Sequence, residues 1–315
     1  MDRNLALELI RVTEAAALAS ARWMGKGQIE EAYHSAEEAV TLVIKSIPIS
    51  GCVTIGKSRK RVQKTPETQT GRDLNVDVVL DPLHSVHAVA YGWPNAISVI
   101  AVANKGAFFD PPVPYLNTIV VGPEAAGRID IRKSALDNLV GVADAKRCYV
   151  EDLTVTILDR DRNHQTIADV RESGARVQLI RDGDVAAAIA ASVPGSGVDL
   201  VMGIGSASAC LLSAAAVKCA GGDMQAQLHV ENEEEKAAVK KSHFGDPGKV
   251  LGLADLIGGD EAMLAATAVT DSEILRGVQF KPGGAVTHSI VMRQRTGTIR
   301  LIEANHRFDR RPDYK

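Results

Sequence analysis

Short apolar runs and helical segments alternate through the second half of the chain, and this alternation restricts the fold more than any other feature. Three runs rich in Val, Ile and Leu, at 153–158, 176–180 and 198–203, are each followed by a segment with helical spacing. Strands that alternate with helices form parallel sheets covered by those helices. The sequence therefore predicts an α/β fold, with an N-terminal half over residues 1–150 and a C-terminal half over residues 151–315.

Charge and composition exclude several classes of function. A net charge of −3 gives no general attraction for nucleic acid or a membrane surface. Apolar runs fall short of the roughly 18 residues that a membrane helix needs, and the N-terminus leads into an amphipathic helix. We expect a cytoplasmic protein without nucleic-acid or membrane partners. Its cysteines are widely spaced, which favours reduced thiols: Cys52, Cys148, Cys210 and Cys219.

Two strand–loop pairs in the first half carry unusual polar residues. The second pair ends in Asp-Pro-Leu-His-Ser-Val at 81–86. The first pair ends in a predicted loop over residues 56–64 that is basic and contains no acid. Such a loop is either a solvated surface segment or an anion-binding site, because Lys and Arg hold phosphate well. Its basic residues are Lys57, Arg59, Lys60, Arg61 and Lys64.

Six further runs, together with Asp-Pro-Leu, resemble those of class II fructose-1,6-bisphosphatases. These are bacterial sugar bisphosphatases of the lithium-sensitive phosphatase superfamily, and sedoheptulose-1,7-bisphosphate is a second candidate substrate for them. The runs occur in the family's order and span nearly the whole chain. They lie at 11–19, 94–99, 121–125, 182–187, 221–225 and 300–304.

The resemblance implies a layered α/β sugar-phosphatase fold, of the inositol monophosphatase and fructose-1,6-bisphosphatase type, with a cleft between two α/β halves. It implies a place in carbohydrate metabolism, in gluconeogenesis or glycerol metabolism, and a homo-oligomer (dimer or tetramer). The family hydrolyses phosphoesters with Mg²⁺ or Mn²⁺ held by acidic side chains. Those cations neutralise the phosphate and activate the attacking water.

Most acids that the resemblance assigns to the metals are replaced in this chain. Tyr33 stands where the family has Asp, and Lys57 and Arg59 stand where it has two Glu. The family's Asp-Pro-(Leu/Ile)-Glu-Gly-Thr falls on 81–86, so that Asp81 is retained and the Glu has become His84. A further Glu has become Ala209. Replacing carboxylates with cations reverses the sign of their interaction with a dication, and we therefore expect no metal cofactor.

The positions that the resemblance assigns to sugar phosphate are better preserved. Asp182, Gly183 and Asp184 form the family's Asp-Gly-Asp turn and begin a predicted helix, whose free N–H groups suit an anion or a sugar hydroxyl. The other predicted substrate-binding residues are Tyr115, Arg160, Arg162 and Ser206.

Three hypotheses follow from this contrast. The first is an inactive homologue that binds a sugar phosphate or another phosphorylated anion in a cationic pocket, or acts as a regulatory or partner subunit. The second is an active fructose-1,6-/sedoheptulose-1,7-bisphosphatase with a remodelled Mg²⁺, Mn²⁺ or transition-metal site, in which Asp81, His84 and His87 supply ligands with the Asp182 turn. The third is a structural role in a mixed oligomer with an active paralogue.

Overall fold

In the computed structural model, residues 5–47, 49–50, 53–55, 58–62, 74–242 and 246–309 are described, and at 50, 53–55, 58–62, 74 and 75 only the backbone is. The chain forms two compact units. Unit 1 comprises Met1–Gly106 and Gly259–Lys315, and unit 2 comprises Ala107–Gly258. Each unit has its own sheet and helices, which confirms the predicted α/β class.

The helices are, in chain order, α1 (Leu5–Ser20), α2 (Ile29–Ile44), α3 (Val86–Tyr91), α4 (Ala135–Lys146), α5 (His164–Glu172), α6 (Asp184–Ala191), α7 (Ala207–Ala220), α8 (Glu233–Lys241) and α9 (Leu253–Leu256). The strands are β1 (Ile49–Ser50), β2 (Val53–Ile55), β3 (Ser58–Val62), β4 (Leu74–His84), β5 (Ile97–Asn104), β6 (Tyr115–Val121), β7 (Thr154–Leu158), β8 (Arg176–Ile180), β9 (Leu200–Ser206), β10 (Asp223–His229), β11 (Leu251–Gly252), β12 (Ala262–Ala268), β13 (Gln279–Lys281), β14 (Gly284–Arg293) and β15 (Thr298–Arg307). Short 3₁₀ turns lie at Ala21–Trp23, Pro123–Ala125, Val150–Asp152, Asp161–Asn163 and Gln294–Thr296.

Unit 1 is a mainly antiparallel sheet covered by helices. Its strand order is β13-β14-β12-β5-β4-β2-β3, with β1 beside β4 and β15 beside β14. Helix α1 packs on β5, β12 and β14 because its apolar residues recur at helical spacing and are buried. Burying a large apolar side chain such as Leu9 contributes about 1.5–3 kcal/mol.

Unit 2 is a mixed sheet in the order β11-β10-β6-β9-β7-β8. Strands β7, β8 and β9 are parallel and alternate with α5, α6 and α7, which confirms the alternation expected from the sequence. Strands β6 and β10 join the sheet in the antiparallel direction. The core includes Ile119, Leu139, Leu153, Ile157 and Leu200.

The two units do not coincide with the halves expected at 1–150 and 151–315. Strand β6 pairs with β9 and β10, which places residues after Gly106 in unit 2. Strand β12 pairs with β5, which returns the C-terminal strands to unit 1. These pairings join residues far apart in sequence, so local periodicity does not encode them.

The segment expected as a basic loop is partly a strand. Ser58–Val62 forms β3, which pairs with β2 in the antiparallel direction and lies at one edge of the sheet of unit 1. Lys and Arg are common on edge strands because their charges oppose pairing with another chain. The backbone of Arg59, Lys60 and Arg61 therefore lies on an edge strand of the described sheet. Lys57 and Lys64 lie outside the described residues.

The structure also bears on membrane-spanning helices and on the cysteines. In the described part of the chain, no helix is long and apolar enough to cross a membrane. Cys148, Cys210 and Cys219 form no disulfide among the described residues, and Cys52 lies outside the described residues.

Three buried hydroxyls tie α1 to the centre of the sheet in unit 1. Thr13 donates its hydroxyl hydrogen to the carbonyl of Ile10 at 3.0 Å, so it must accept from Thr267, whose Oγ1 lies 2.7 Å away. Thr267 must then accept from Ser289 at 2.8 Å. The chain of donors therefore has one direction, from Ser289 to Thr267 to Thr13.

We expect Thr267→Val to lower the free energy of unfolding by about 1–3 kcal/mol, because the similarly sized side chain leaves the buried Ser289 hydroxyl without its acceptor. Urea denaturation measures the change. Thr267→Ser is the matched control, since it removes a methyl group and keeps the hydroxyl. An equal loss of stability in both variants would assign the effect to packing instead of hydrogen bonding.

Ser85 has a strained backbone at the start of α3. Its φ of 72° and ψ of 52° lie in the left-handed region, which is unfavourable for a residue with a Cβ atom. Its hydroxyl is buried and has no hydrogen-bond partner among the described residues. The resemblance places a Gly at this position, and Gly adopts such a conformation without strain.

We expect Ser85→Gly to raise the free energy of unfolding by about 1 kcal/mol, since it relieves the strain and removes an unpaired hydroxyl, against the entropy cost of Gly. Ser85→Ala separates the two contributions, because it removes the hydroxyl and keeps the strained backbone. Thermal unfolding followed by circular dichroism provides the measurement. A Gly variant less stable than the wild type would contradict this account.

Candidate functional site

The strand order of unit 2 reverses at β7. The chain passes from β7 through α5 to β8 on one side, then through α6 to β9 on the other side of β7. In open α/β sheets, ligands bind outside the carboxyl ends of the strands at such a reversal. This rule predicts a ligand-binding site in unit 2 at the edge formed by the carboxyl ends of β7, β8 and β9.

Arg162 lies at this edge in a fixed position. Its guanidinium carbon is 4.4 Å from the centroid of the Tyr115 ring, which is a cation–π contact. Its Nε donates a hydrogen bond to the carbonyl of Ile204 at 3.2 Å. Tyr115 begins β6 and pairs in register with Ser206, the last residue of β9. The structure thus brings three of the predicted substrate residues, Tyr115, Arg162 and Ser206, to one edge.

Ser206 also caps the helix that follows. Its Oγ accepts a hydrogen bond from the backbone N–H of Ala209 at 3.3 Å, as an N-cap serine does. It lies 3.3 Å from the hydroxyl of Ser208. These groups place two hydroxyls at the N-terminus of the 14-residue helix α7, whose dipole favours an anion.

The Asp182-Gly183-Asp184 turn follows β8 at the same edge. Gly183 takes a φ of 92° and is the cap residue before α6, which begins at Asp184. A Cβ atom added at Gly205 would lie 2.7 Å from Oδ2 of Asp184, so that carboxylate packs directly against the end of β9. Burial and the nearby charge of Asp184 raise the pKa of the Cys210 thiol to about 12, which leaves this cysteine unreactive.

Arg160 is placed less tightly than Arg162. Its side chain is exposed, and its Nη1 donates to the neighbouring carbonyl of Asp159 at 2.9 Å. The edge therefore presents one arginine held by an aromatic ring and a carbonyl, together with a second arginine on the exposed surface. Arginines and a turn of two aspartates can hold a phosphate and the hydroxyls of a sugar, respectively.

Unit 1 holds the retained acid of the predicted metal site. Nδ1 of His84 donates to Oδ2 of Asp81 at 3.1 Å, and both side chains are largely buried. The two residues lie on the same strand, β4, on either side of an irregularity in its pairing with β5.

Tyr33 lies within the electrostatic reach of the same acid. Burial, together with the charges of Asp81 and Glu37, raises the pKa of Tyr33 to about 12. The phenol is therefore neutral at physiological pH. It can donate a hydrogen bond, but it is not an anionic ligand.

Among the described residues, the predicted metal positions carry one carboxylate, that of Asp81. These cations require several oxygen ligands, with carboxylates prominent among them. In unit 1 the described positions provide Asp81, which His84 already engages, and the neutral Tyr33. In unit 2, Ala209 is buried and has no donor atom.

Of the candidate transition-metal ligands in unit 1, Asp81 and His84 are hydrogen-bonded to each other and His87 lies on α3. His87 is exposed on α3, and its ring stacks on Tyr91 with 6.5 Å between centroids. Of the predicted anion-binding residues, Arg59, Lys60 and Arg61 are placed by their backbone on β3.

Sequence reasoning missed Asn163, which lies in the middle of the edge of unit 2. Its side chain is fully buried and hydrogen-bonded to both β7 and β9. An Asn between a strand and a helix normally indicates a helix cap, and no sequence signal distinguishes the role that this residue has here.

Comparison with known proteins agrees with the resemblance seen in the sequence. The family model described as bacterial fructose-1,6-bisphosphatase, glpX-encoded, matches residues 3–306. A D-fructose 1,6-bisphosphatase class 2/sedoheptulose 1,7-bisphosphatase of Microcystis aeruginosa is 34% identical over 344 aligned positions, which cover 100% of this chain and 99% of the relative. The protein of the same name from Synechococcus elongatus is 33% identical over 337 positions, covering 98% of each chain.

These matches extend over both units and nearly the full length of the relatives. A family model that spans residues 3–306 and relatives above 30% identity agree on one assignment. The chain therefore belongs to the glpX-type, class II fructose-1,6-bisphosphatase family.

Proposed function

We propose that the chain binds a sugar bisphosphate of the fructose-1,6-bisphosphate or sedoheptulose-1,7-bisphosphate type at the carboxyl edge of β7, β8 and β9. The observation that carries the proposal is the placement of Arg162, between the Tyr115 ring and the Ile204 carbonyl, at the point where the strand order reverses. An arginine fixed in this way loses little further side-chain freedom when it binds a phosphate.

The neighbouring groups suit the rest of such a ligand. The carboxylates of Asp182 and Asp184 accept hydrogen bonds from sugar hydroxyls, and the Ser206 hydroxyl with the N-terminus of α7 favours a second anionic group. None of these interactions needs a metal ion.

We further propose that the chain leaves the bound phosphoester intact. The support is chemical: the sequence keeps Asp81 but replaces the other acids that the family resemblance assigns to the metals, and arginine does not activate water as a metal does. Such a protein would sense or store a sugar phosphate, or regulate a partner.

Hydrolysis is the second candidate, and the comparisons support it more directly. The relatives from Microcystis aeruginosa and Synechococcus elongatus are named as bisphosphatases and align with the chain along its full length. In this case Asp81 and His84 would belong to a remodelled metal site. The choice between the candidates depends on measured phosphate release.

We expect Arg162→Ala to weaken the binding of fructose-1,6-bisphosphate by about 10–100-fold, because a hydrogen bond to a charged group contributes about 1.5–3 kcal/mol. Isothermal titration calorimetry in the presence of EDTA measures the affinity without metal. Arg171→Ala is the matched control, since Arg171 is exposed in the last turn of α5. Equal affinities of the Arg162 variant and the wild type would disprove the site.

We expect no phosphate release from fructose-1,6-bisphosphate or sedoheptulose-1,7-bisphosphate in the presence of Mg²⁺ or Mn²⁺. The Synechococcus elongatus relative, assayed in parallel, is the positive control. Turnover at an ordinary rate of roughly 1–10³ per second, lost in Asp81→Asn, would establish the second candidate. Elemental analysis of the purified protein adds an independent readout, because the second candidate requires bound metal.

Self-association into a dimer or tetramer, or pairing with an active paralogue, stays a prediction. Sedimentation equilibrium of the purified chain, alone and mixed with an active family member, distinguishes these states. A monomer under all these conditions would contradict both.

A further inference from the structure

Strands β7 and β9 are paired over only part of their length. The parallel ladder joins Val155 to Leu200 and Thr156 to Val201. Beyond these pairs, β7 continues to Leu158 and β9 to Ser206 without further pairing between them. The two strands therefore separate as they approach the edge where the proposed ligand binds, and their backbone groups need other partners there.

The side-chain amide of Asn163 fills this gap. Its Oδ1 accepts a hydrogen bond from the backbone N–H of Ile204 at 2.7 Å. Its Nδ2 donates to the carbonyl of Leu158 at 3.0 Å and to the carbonyl of Ile204 at 3.4 Å. The amide thus takes the place of a backbone peptide group between the two strands.

Gly203 makes room for this arrangement. Its φ of 116° is a conformation that residues with side chains rarely adopt. A Cβ atom on Gly203 would lie 2.7 Å from Oδ1 of Asn163. The Asn163 amide therefore has room only because residue 203 is a glycine. Together the two residues determine the position of the carboxyl end of β9.

The same contacts reach Arg162. The carbonyl of Ile204 accepts from Nδ2 of Asn163 and from Nε of Arg162. The backbone N–H of Asn163 also donates to the carbonyl of Arg160 at 2.8 Å, which closes the turn that contains Arg162. Movement of the Ile204 peptide would thus remove the acceptor that directs the guanidinium.

We infer that Asn163 is a positioning residue for ligand binding: it holds the separated ends of β7 and β9 so that Arg162 faces the phosphate. This inference rests on the proposed function, because it concerns the same site. It predicts that Asn163 affects affinity through Arg162 and not through the general stability of unit 2.

A double-mutant cycle with fructose-1,6-bisphosphate, measured by calorimetry well below the melting temperature, tests this. We expect Asn163→Ala to weaken binding at least tenfold in the wild-type background and less than twofold in the Arg162→Ala background. Gly203→Ala should weaken binding in the same way, because its Cβ atom displaces the Asn163 amide. Asn163→Asp, which keeps the acceptor and loses the donor, is the second variant should Asn163→Ala fail to fold.

Asn138→Ala is the matched control. Asn138 is also buried in unit 2, and its amide bonds the backbone of Asp130 and Ser134 at the start of α4. Its loss should lower the melting temperature and leave the affinity unchanged. An affinity loss in this control, or equal losses from Asn163→Ala in both backgrounds, would overturn the inference. A wild-type chain that does not bind the bisphosphate would instead refute the proposed function itself.

Discussion

The separation of β7 from β9 is the constraint on which the candidate site depends. A continuous ladder would satisfy the backbone groups of Leu158 and Ile204 and would close the edge of the sheet. Because the ladder stops after Thr156 and Val201, a buried amide has to supply the missing hydrogen bonds. An unpaired buried peptide group costs about 1–3 kcal/mol, so this opening can persist only where a side chain such as Asn163 occupies it.

In unit 1, the buried charge of the retained carboxylate, Asp81, has to be compensated. Asp81 is largely buried, and an isolated buried carboxylate is strongly disfavoured. In the metal-binding arrangement that the family resemblance implies, cations would fulfil this need. Here His84 donates a hydrogen bond from the same strand. A neighbouring Tyr33 that stays neutral adds no further negative charge beside Asp81.

The sequence predicted the order of local strands and helices in unit 2, and it did not predict strand pairings between distant residues. The alternation of β7, α5, β8, α6, β9 and α7 follows from short apolar runs and helical spacing, and the structure contains it. The division of the chain differs because β12 pairs with β5 across about half of the sequence, which no local pattern encodes. Tyr115, Arg162 and Asp184 were found through family motifs, whereas Asn163 acts only because two strands separate, a property of the assembled sheet.

Binding and hydrolysis make different demands on this fold. Holding a sugar bisphosphate requires fixed donors for phosphate and acceptors for hydroxyls, for which we propose Arg162 and the Asp182-Gly183-Asp184 turn at the edge of unit 2. Hydrolysis also requires a group that activates water and stabilises the leaving oxygen, and that task depends on hard cations and their acidic ligands. The first set can remain while the second is lost, because different residues supply them. Sequence similarity along the whole chain therefore establishes the family, while the identity of a few acids determines whether a bound phosphoester is cleaved.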